Sequence, residues 1–367
     1  MDLTSGRYPL VIFVGSGGVG KTTLAAAAGV LSAREGRDTL VMTFDPSLRL
    51  KQALGVGEEA KLREVPVALE APGALHASLL DARQTFDRLV ERYAPDEESR
   101  RRVLENRFYQ HLSGSLGGIL EYMAVERLFE VAADGRYAQV ILDTPPTRQA
   151  LDFLEAPARI VGFLDSGALR LALKPWFDDE GRLKATSRWG ALGRRAERFL
   201  DDVVGMDLLR DMAEFFQAFG PLYEGFRRRA SQVEELLRSP RTLFVLVADA
   251  GEERIADTLF FARRLEETGY HLGPIVVNRV HPRFVFDGAP PHSSDPCRPN
   301  GWELLAWAGE RDRRGLIELA KLLSREQPLV DLPLLPEEPT DLASLEALGR
   351  QLDARLDEWE RYVSRTS

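Results

Sequence analysis

The sequence contains very little cysteine, with Cys297 the single one among 367 residues. One thiol cannot form a disulfide within the chain, which excludes a disulfide-stabilised extracellular scaffold and indicates a reducing compartment. One thiol also cannot supply the several thiolates that a soft metal ion requires. We therefore expect a cytoplasmic protein.

An excess of positive charge and long apolar segments are also missing. The 48 Lys and Arg residues stand against 57 Asp and Glu residues, a net charge of −9, whereas binding to a nucleic-acid backbone needs a basic face. The longest apolar run, residues 24–31, is far shorter than the ~20 residues that span a bilayer. We expect neither nucleic-acid binding nor direct membrane insertion.

The sequence does contain short, apolar, β-branched segments that alternate with helix-forming ones. This alternation predicts an α/β fold with a mostly parallel sheet and helices on both of its faces. Residues 342–363 place leucines three and four positions apart, which predicts an amphipathic helix. Residues 279–301 are rich in Pro, Ser and Asp and predict a long loop. The strands are predicted at residues 10–14, 39–44, 139–142, 243–247 and 275–277.

A glycine-rich segment joins the first predicted strand to the first predicted helix. It reads GSGGVGKT over residues 15–22 and fits the phosphate-loop pattern G-x-x-x-x-G-K-[ST]. The glycines let backbone N–H groups surround a phosphate, and the helix adds the positive end of its dipole. Lys21 would bind the β- and γ-phosphates, and the Thr22 hydroxyl would bind Mg²⁺. The predicted nucleotide-binding residues here are Gly15, Ser16, Gly17, Gly18, Val19, Gly20, Lys21, Thr22 and Thr23.

Two aspartates, Asp45 and Asp143, follow predicted strands directly. Because the carboxyl ends of parallel strands share one edge of a sheet, we expect both acids near the phosphates. Asp45 could position an attacking water, and Asp143 could be a second Mg²⁺ contact through water. A phosphate loop alone does not distinguish a hydrolase from a kinase or a GTPase, and these two acids favour a hydrolase. The predicted metal-binding residues are Thr22, Asp45 and Asp143.

Two helix-patterned segments, residues 81–111 and 158–237, interrupt the alternation. The second is long and contains no convincing strand. We therefore predict a phosphate-loop NTPase core built from residues 1–157 and 238–367, with the segment 81–111 in its first part and a helical insertion subdomain at 158–237. The insertion has more phenylalanines than one helix face can bury, and this predicts an apolar surface. The alternative is that these side chains pack in the ordinary way on the neighbouring sheet. These residues are Phe199, Phe215, Phe216, Phe219 and Phe226.

Five motifs occur in an order that resembles the ArsA-type ATPase family, which includes arsenite-pump and tail-anchored-protein-targeting ATPases. GSGGVGKTT is similar to the family's phosphate loop GKGGVGKTT, and TFDPSLRL is similar to its first switch. LDTPPTRQALDFLEAP resembles its second switch. IVVN, which ends at Asn278, resembles the strand that reads adenine, and PLVDLPLLPEEPTDLASL resembles the adenine loop.

The resemblance implies an ATP- and Mg²⁺-dependent hydrolase that works as a dimer. By resemblance, Asp45 orients the hydrolytic water, and Asn278, Leu334 and Pro336 contact adenine. ATP binding and hydrolysis would open and close the dimer. That motion would act on a hydrophobic client or a membrane-protein effector at the helical insertion. The partner subunit could be identical or a paralogous ATPase, which leaves both a homodimer and a heterodimer open.

The sequence departs from the family's pattern at the dimer interface. Ser16 stands where the family has a lysine that reaches the partner subunit's phosphates. The cysteine pair that binds zinc between subunits in the tail-anchor-targeting members would fall in residues 279–301, where Cys297 is the single cysteine. We therefore expect dimerisation without zinc.

The second switch departs as well, because Arg148 and Gln149 replace the family's Gly-His. Arginine binds phosphate oxygens through two parallel N–H groups and stays charged. We therefore predict Arg148 as a catalytic residue beside Lys21 and Asp45, with Arg49 as the alternative that could replace the missing lysine. The alternative for both Arg148 and Arg49 is an ion pair with a nearby acidic residue.

Three other functions are considered. A MinD- or ParA-like spatial-organisation ATPase would need a membrane or DNA contact, but residues 342–363 hold five acids against three arginines, which anionic lipid would repel. A metalloid-responsive subunit of an anion efflux system would need more thiolates than one. A catalytically inactive dimer partner is disfavoured by the intact Lys21, Thr22, Asp45 and Asp143.

Overall fold

The computed structural model describes residues 3, 6–43, 48–94, 96–107, 119–145, 154–156, 223–284 and 301–366. The strands are β1 (Leu10–Gly15), β2 (Thr39–Thr43), β3 (Val65–Pro66), β4 (Leu75–Leu79), β5 (Gln139–Asp143), β6 (Thr242–Ala248), β7 (Leu272–Val280) and β8 (Leu329–Pro333). The helices are α1 (Lys21–Arg34), α2 (Leu48–Leu54), α3 (Ala82–Tyr93), α4 (Glu97–Leu104), α5 (Ile119–Asp134), α6 (Tyr223–Arg238), α7 (Ile255–Glu267), α8 (Gly301–Leu322) and α9 (Leu342–Thr366).

The eight strands form one sheet in the order β3-β4-β2-β5-β1-β6-β7-β8. Neighbouring strands are parallel, except that β3 runs antiparallel to β4. The predicted α/β fold with a mostly parallel sheet is confirmed. Strands β1, β2, β5 and β6 are buried along their whole length, as their continuous apolar sequences predict for strands covered on both faces.

The apolar pattern misses three strands, namely the two edge strands β3 and β8 and β4 beside β3. β3 has only two residues, and β4 carries His76 and Ser78 within a short apolar stretch. β8 lies inside the segment that resembles the adenine loop. The strand predicted at residues 275–277 is longer than expected, because β7 continues through Asn278 to Val280. The predicted loop 279–301 is therefore wrong at its first two residues, and also at Gly301, where α8 begins.

Helix α1 lies in the core, and its residues 24–33 are all buried. The predicted C-terminal amphipathic helix is confirmed as α9, whose Leu345, Leu348, Leu352 and Leu356 are buried in the same hydrophobic core. Close approach of the two helices depends on Gly349, where an added Cβ would lie 2.7 Å from the Ala27 carbonyl oxygen. The leucine stripe of α9 thus packs on the domain. Among the described helices, none combines the length and the apolar character that crossing a membrane requires.

The chain divides into two compact units. One unit comprises Met1–Leu80, Glu130–Leu151 and Leu236–Ser367 and contains the sheet, and the other comprises Asp81–Phe129 and Asp152–Glu235. The domain boundaries expected from the sequence remain a prediction.

The second unit is helical where it is described. Asp81 and Asp96 cap α3 and α4 by accepting hydrogen bonds from backbone N–H groups at 3.0 and 2.7 Å. Glu126 on α5 is buried and pairs with Arg229 on α6, and it also accepts a hydrogen bond from the Tyr122 hydroxyl at 3.1 Å. A buried carboxylate needs such partners because burial disfavours its charge.

Candidate functional site

The glycine-rich loop follows β1, which ends at Gly15, and leads into α1, which begins at Lys21. Gly18 and Gly20 have φ values of 81° and 94°, a region that strains residues with a side chain. An added Cβ at Gly20 would also collide with the side-chain amide nitrogen of Asn278. Glycine is therefore required where the loop turns and where it approaches β7.

Lys21 is buried, and its ammonium group donates a hydrogen bond to the Ser16 carbonyl oxygen at 2.8 Å. The charge consequently lies against the loop backbone, beside the N-terminus of α1. The first turn of α1 contains no acidic residue that would oppose the positive end of the helix dipole. Loop, lysine and helix terminus together form a positive site of the kind that binds phosphate.

Asp143 is fully buried at the end of β5 and accepts hydrogen bonds from two hydroxyl groups at the same oxygen, Oδ2. Thr22 on the first turn of α1 donates at 2.7 Å, and Thr43 at the end of β2 donates at 2.8 Å. The sheet register explains this arrangement, because Asp143 is paired with Thr43 on β2 and with Phe13 on β1. The parallel sheet thus brings together three segments that are distant in sequence.

This arrangement fits a Mg²⁺ ion. Hydroxyl and carboxylate oxygens are ligands of the kind Mg²⁺ prefers, and Mg²⁺ usually keeps several waters and binds substrate phosphates. Thr22 can supply a hydroxyl and Asp143 a carboxylate, directly or through water. Within the described parts of the chain, no group of three or more His, Cys, Asp and Glu side chains could hold a metal ion by itself.

The end of β7 lies against the phosphate loop. The side-chain amide of Asn278 donates a hydrogen bond to the Val19 carbonyl oxygen at 2.8 Å. The next residue, Arg279, donates to the Gly18 carbonyl oxygen at 3.1 Å and to the Glu338 carboxylate at 2.9 Å. Two successive residues of one strand therefore contact the loop backbone.

A cavity of about 230 Å³ opens beside these contacts. One side is formed by the start of α1, with Thr22 and Thr23, and another by Asn278 and Arg279. The segment after β8 closes it, and there Leu334 is 40% exposed. The cavity is lined by apolar side chains, leucines among them, and by polar and charged ones in similar number.

The buried carboxylate of Asp312 holds His281, the residue that directly follows β7. Asp312 on α8 accepts hydrogen bonds from the His281 backbone N–H at 2.9 Å and from the Arg311 guanidinium at 2.7 Å. It also contacts the His281 ring nitrogen Nδ1 at 2.8 Å. Burial by itself would raise the pKa of the Asp312 carboxyl, but the bonds from His281 and Arg311 outweigh burial and lower that pKa.

The predicted site residues are only partly within the described structure. The phosphate loop, Lys21, Thr22, Thr23, Asp143 and Asn278 lie together, and Leu334 lines the cavity. Pro336 lies in the same segment and is exposed. Outside the described residues lie Asp45, Arg148, Cys297, the side chain of Arg49 and those of the five insertion phenylalanines.

Sequence reasoning missed Thr43, Arg279 and Glu338. Thr43 ends a strand, as Asp143 does, but its contact depends on β2 being the neighbour of β5, which the sequence does not specify. Arg279 and Glu338 are 59 positions apart, and no local pattern connects them. A search for polar residues at the carboxyl ends of all predicted strands would have found Thr43.

Comparison with known proteins agrees with this geometry. Residues 8–175 match the sequence model of a family described as anion-transporting ATPase. This range contains the phosphate loop, both aspartates that follow predicted strands, and the second switch.

Two curated relatives align along nearly the whole chain, and a third aligns along about half of it. Putative arsenical pump-driving ATPase 1 of Aquifex aeolicus is 24% identical over 356 residues, which cover 93% of this chain and 78% of that protein. ATPase GET3A of Arabidopsis thaliana is 24% identical over 344 residues, 93% of this chain and 82% of that protein. A putative arsenical pump-driving ATPase of Halobacterium salinarum is 30% identical over 181 residues, 46% of this chain and 26% of that protein. These matches support the ArsA-type ATPase family, and with it ATP hydrolysis, for this chain.

Proposed function

We propose that the chain is a Mg²⁺-dependent ATPase whose nucleotide state opens and closes a dimer, either a homodimer or a heterodimer with a paralogous ATPase. The dimer acts on a hydrophobic client or a membrane-protein effector at residues 158–237. The observation that carries the proposal is the convergence of Lys21, Thr22 and Asp143 beside the phosphate loop. The relatives named arsenical pump-driving ATPase and ATPase GET3A support it.

Each residue of the site has a defined task. The N–H groups of residues 15–22 and the Lys21 ammonium bind the phosphates and withdraw negative charge from them. Thr22 and Asp143 would hold Mg²⁺, and the ion when bound would supply positive charge to the phosphate oxygens. Asp45 orients the attacking water, and Arg148 supplies the cation that Ser16 cannot. The structure describes residues 15–22 and Asp143, whereas Asp45 and Arg148 lie outside the described residues.

The cavity beside Asn278 takes the base. The side-chain amide N–H of Asn278 donates to the Val19 carbonyl oxygen, which fixes the plane of the amide. The side-chain carbonyl oxygen of Asn278 is thereby held in one orientation and can accept a hydrogen bond from an exocyclic amine. Leu334 and Pro336 contact the apolar face of the ring. These three residues favour adenine on the family resemblance.

The first experiment separates binding from turnover. Lys21→Ala should abolish ATP binding, because it removes the main side-chain charge on the phosphates, whereas Asp45→Asn should keep ATP affinity and stop hydrolysis. Isothermal titration with ATP and a phosphate-release assay measure the two. Lys321→Ala, which changes an exposed lysine on α8, is the matched control. Near-normal kcat in Asp45→Asn would remove the role given to that residue.

A second experiment tests the client surface. Amide hydrogen exchange over residues 158–237 should differ between the ADP state and a trapped ATP state, because a nucleotide-gated surface changes its exposure. Equal protection in both states would leave only ordinary packing of the phenylalanines. Purification with trapped ATP, followed by identification of the proteins that co-purify, would name the client.

One alternative function is supported by a specific observation. Relatives named putative arsenical pump-driving ATPase favour a metalloid-responsive subunit of an anion efflux system. Arsenite should then stimulate ATP hydrolysis by the purified protein, and a Cys297→Ser variant should lose that stimulation. Hydrolysis that does not respond to arsenite would exclude this alternative. The MinD- or ParA-like alternative is weakened by α9, whose leucine stripe is buried.

A further inference from the structure

Arg279 has an unusual backbone conformation next to the candidate nucleotide site. Its φ is 60°, in the left-handed region that non-glycine residues seldom occupy and that is enriched at functional sites. The Arg279 side chain is 38% exposed, so packing in the core does not account for this backbone conformation. The contacts of the guanidinium group are the other constraint on the residue.

The guanidinium connects two walls of the cavity. Its Nη1 donates to the carbonyl oxygen of Gly18 in the phosphate loop at 3.1 Å. Its Nη2 donates to the carboxylate of Glu338, in the segment between β8 and α9, at 2.9 Å. Both Arg279 and Glu338 line the cavity beside Gly20 and Thr22. The planar fork of arginine is suited to such a double contact, which a lysine could make only in part.

The segment that carries Glu338 is also fixed at both of its ends. At the start, the Leu334 N–H donates to the Val280 carbonyl oxygen at 2.8 Å. At the end, the Asp341 side chain accepts a hydrogen bond from the Ser344 N–H at 2.7 Å and so caps α9. Glu338 lies between these two attachments. Its bond to Arg279 therefore restrains the middle of a segment whose ends cannot move far.

We propose that Arg279 is a positioning residue for nucleotide binding. Its side chain ties the phosphate loop to the segment after β8 and keeps the base cavity closed. The inference rests on the proposed nucleotide site. Because Glu338 balances its charge and both terminal nitrogens already donate to the cavity walls, Arg279 acts on these walls and not on the phosphates. Breaking the tie lets the walls separate, so bound nucleotide leaves faster.

The competing role, a direct phosphate ligand, makes an opposite prediction for one variant. If Arg279 bound phosphate, then Glu338→Gln would release the arginine from its partner, increase the positive charge available to the phosphates and slow nucleotide release. If Arg279 is a tie, Glu338→Gln breaks the tie and speeds release. The sign of the effect at Glu338 therefore decides between the two roles.

The test measures dissociation of N-methylanthraniloyl-ADP, a fluorescent nucleotide, by stopped flow after addition of excess ADP. Arg279→Asn and Glu338→Gln should each speed release about threefold to tenfold, the range expected for a partly exposed, charge-assisted contact. Asparagine is chosen because it tolerates positive φ. Arg279→Lys should give an intermediate rate, and the double variant Arg279→Asn/Glu338→Gln should be no faster than Arg279→Asn alone.

Two controls make the result specific. Arg313→Ala and Glu310→Gln break an exposed ion pair of similar length, 2.9 Å, on α8, and should leave the release rate unchanged. The melting temperature of nucleotide-free Arg279→Asn should be no lower than that of the wild type, because the substitution relieves backbone strain. Slower release in Glu338→Gln, or wild-type rates in both single variants, would overturn the inference while leaving the nucleotide site intact. Wild-type protein that fails to bind the fluorescent nucleotide would contradict the proposed site and the inference together.

Discussion

On the resemblance of GSGGVGKTT to the family's loop GKGGVGKTT, we expect Ser16 to stand where the family has a lysine. A serine carries no positive charge for a partner subunit's phosphates. Negative charge increases on the γ-phosphoryl oxygens during transfer, and a cation supplied by another segment or subunit can be worth 10³ to 10⁵ in rate. A chain that lacks this lysine must obtain the charge elsewhere or hydrolyse ATP slowly. Arg148, in the segment that follows Asp143, is our first candidate.

Substitution of this arginine should separate chemistry from binding. We expect Arg148→Ala to lower kcat by about tenfold or more, with ATP affinity changed little, because the charge matters most in the transition state. Steady-state hydrolysis and calorimetric ATP binding measure the two quantities, and Arg241→Ala, an exposed residue before β6, is the control. An unchanged kcat would shift the role to Arg49 or to a paralogous partner subunit.

Asp143 offers a test of the metal site. In Asp143→Asn, the carboxylate charge is lost while the shape of the side chain is kept, so we expect the apparent Mg²⁺ affinity to fall about tenfold or more. The Mg²⁺ dependence of ATP hydrolysis measures this affinity. Asp257→Asn, on the exposed side of α7, is the matched control. The same Mg²⁺ dependence in Asp143→Asn and the wild type would contradict the assignment.

Among the elements, β7 has its end fixed by α8 through Asp312, and this contact depends on pH. Because the pKa of the Asp312 carboxyl is lowered in the folded protein, its stabilising contribution is present above the ordinary Asp pKa, near ~3.9. That contribution is lost as pH falls through the lower folded value. We expect Asp312→Asn to destabilise the protein at pH 7 by about 2 kcal/mol, because it weakens the bonds from His281 and Arg311.

The pH dependence distinguishes this contact from simple packing. The free energies of unfolding of the wild type and Asp312→Asn, measured with denaturant, should converge as pH falls below about 4. The wild-type carboxylate is then protonated in the unfolded state. A difference that stays constant down to pH 3 would mean that the charge of Asp312 contributes nothing.

Helix α9 depends on the absence of a side chain at Gly349. Helix propensity alone predicts that Gly→Ala stabilises by about 1 kcal/mol, but a Cβ here would press on the Ala27 carbonyl oxygen. We therefore expect Gly349→Ala to destabilise by about 1–3 kcal/mol, measured by denaturant unfolding. Gly301→Ala, where an added Cβ meets nothing within 4 Å, should not destabilise. A more stable Gly349→Ala would show that the two helices separate easily.

For the whole molecule, the family resemblance and the single Cys297 predict a dimer that needs no zinc. Light scattering with ATP and Mg²⁺ should give twice the mass of one chain, unchanged after treatment with a zinc-selective chelator. A zinc-dependent dimer would lose mass under the same treatment, because the chelator removes the metal ion that the two subunits bind together. Dissociation by the chelator would therefore contradict our interpretation of the segment around Cys297.

The sequence predicted those parts of the molecule whose residues are consecutive. The phosphate loop is one uninterrupted segment, and α9 repeats its leucines at helical spacing, so both could be located from local pattern alone. Thr43 meets Asp143, and Arg279 meets Glu338, only because of strand order and register. Local propensity carries no information about which strands become neighbours. Strand β4, which lies between β3 and β2, was missed because His76 and Ser78 interrupt its apolar pattern.

The close approach of Gly20 to Asn278 restricts how this protein can be recombined with its relatives. Val19, whose carbonyl oxygen Asn278 contacts, lies 259 positions earlier in the chain, and an added Cβ at Gly20 would collide with the Asn278 amide. A chimera with its crossover between α1 and β7 would therefore take the phosphate loop from one parent and β7 from the other. Such a chimera should keep its nucleotide site only if the first parent supplies glycine at position 20 and the second supplies asparagine at position 278.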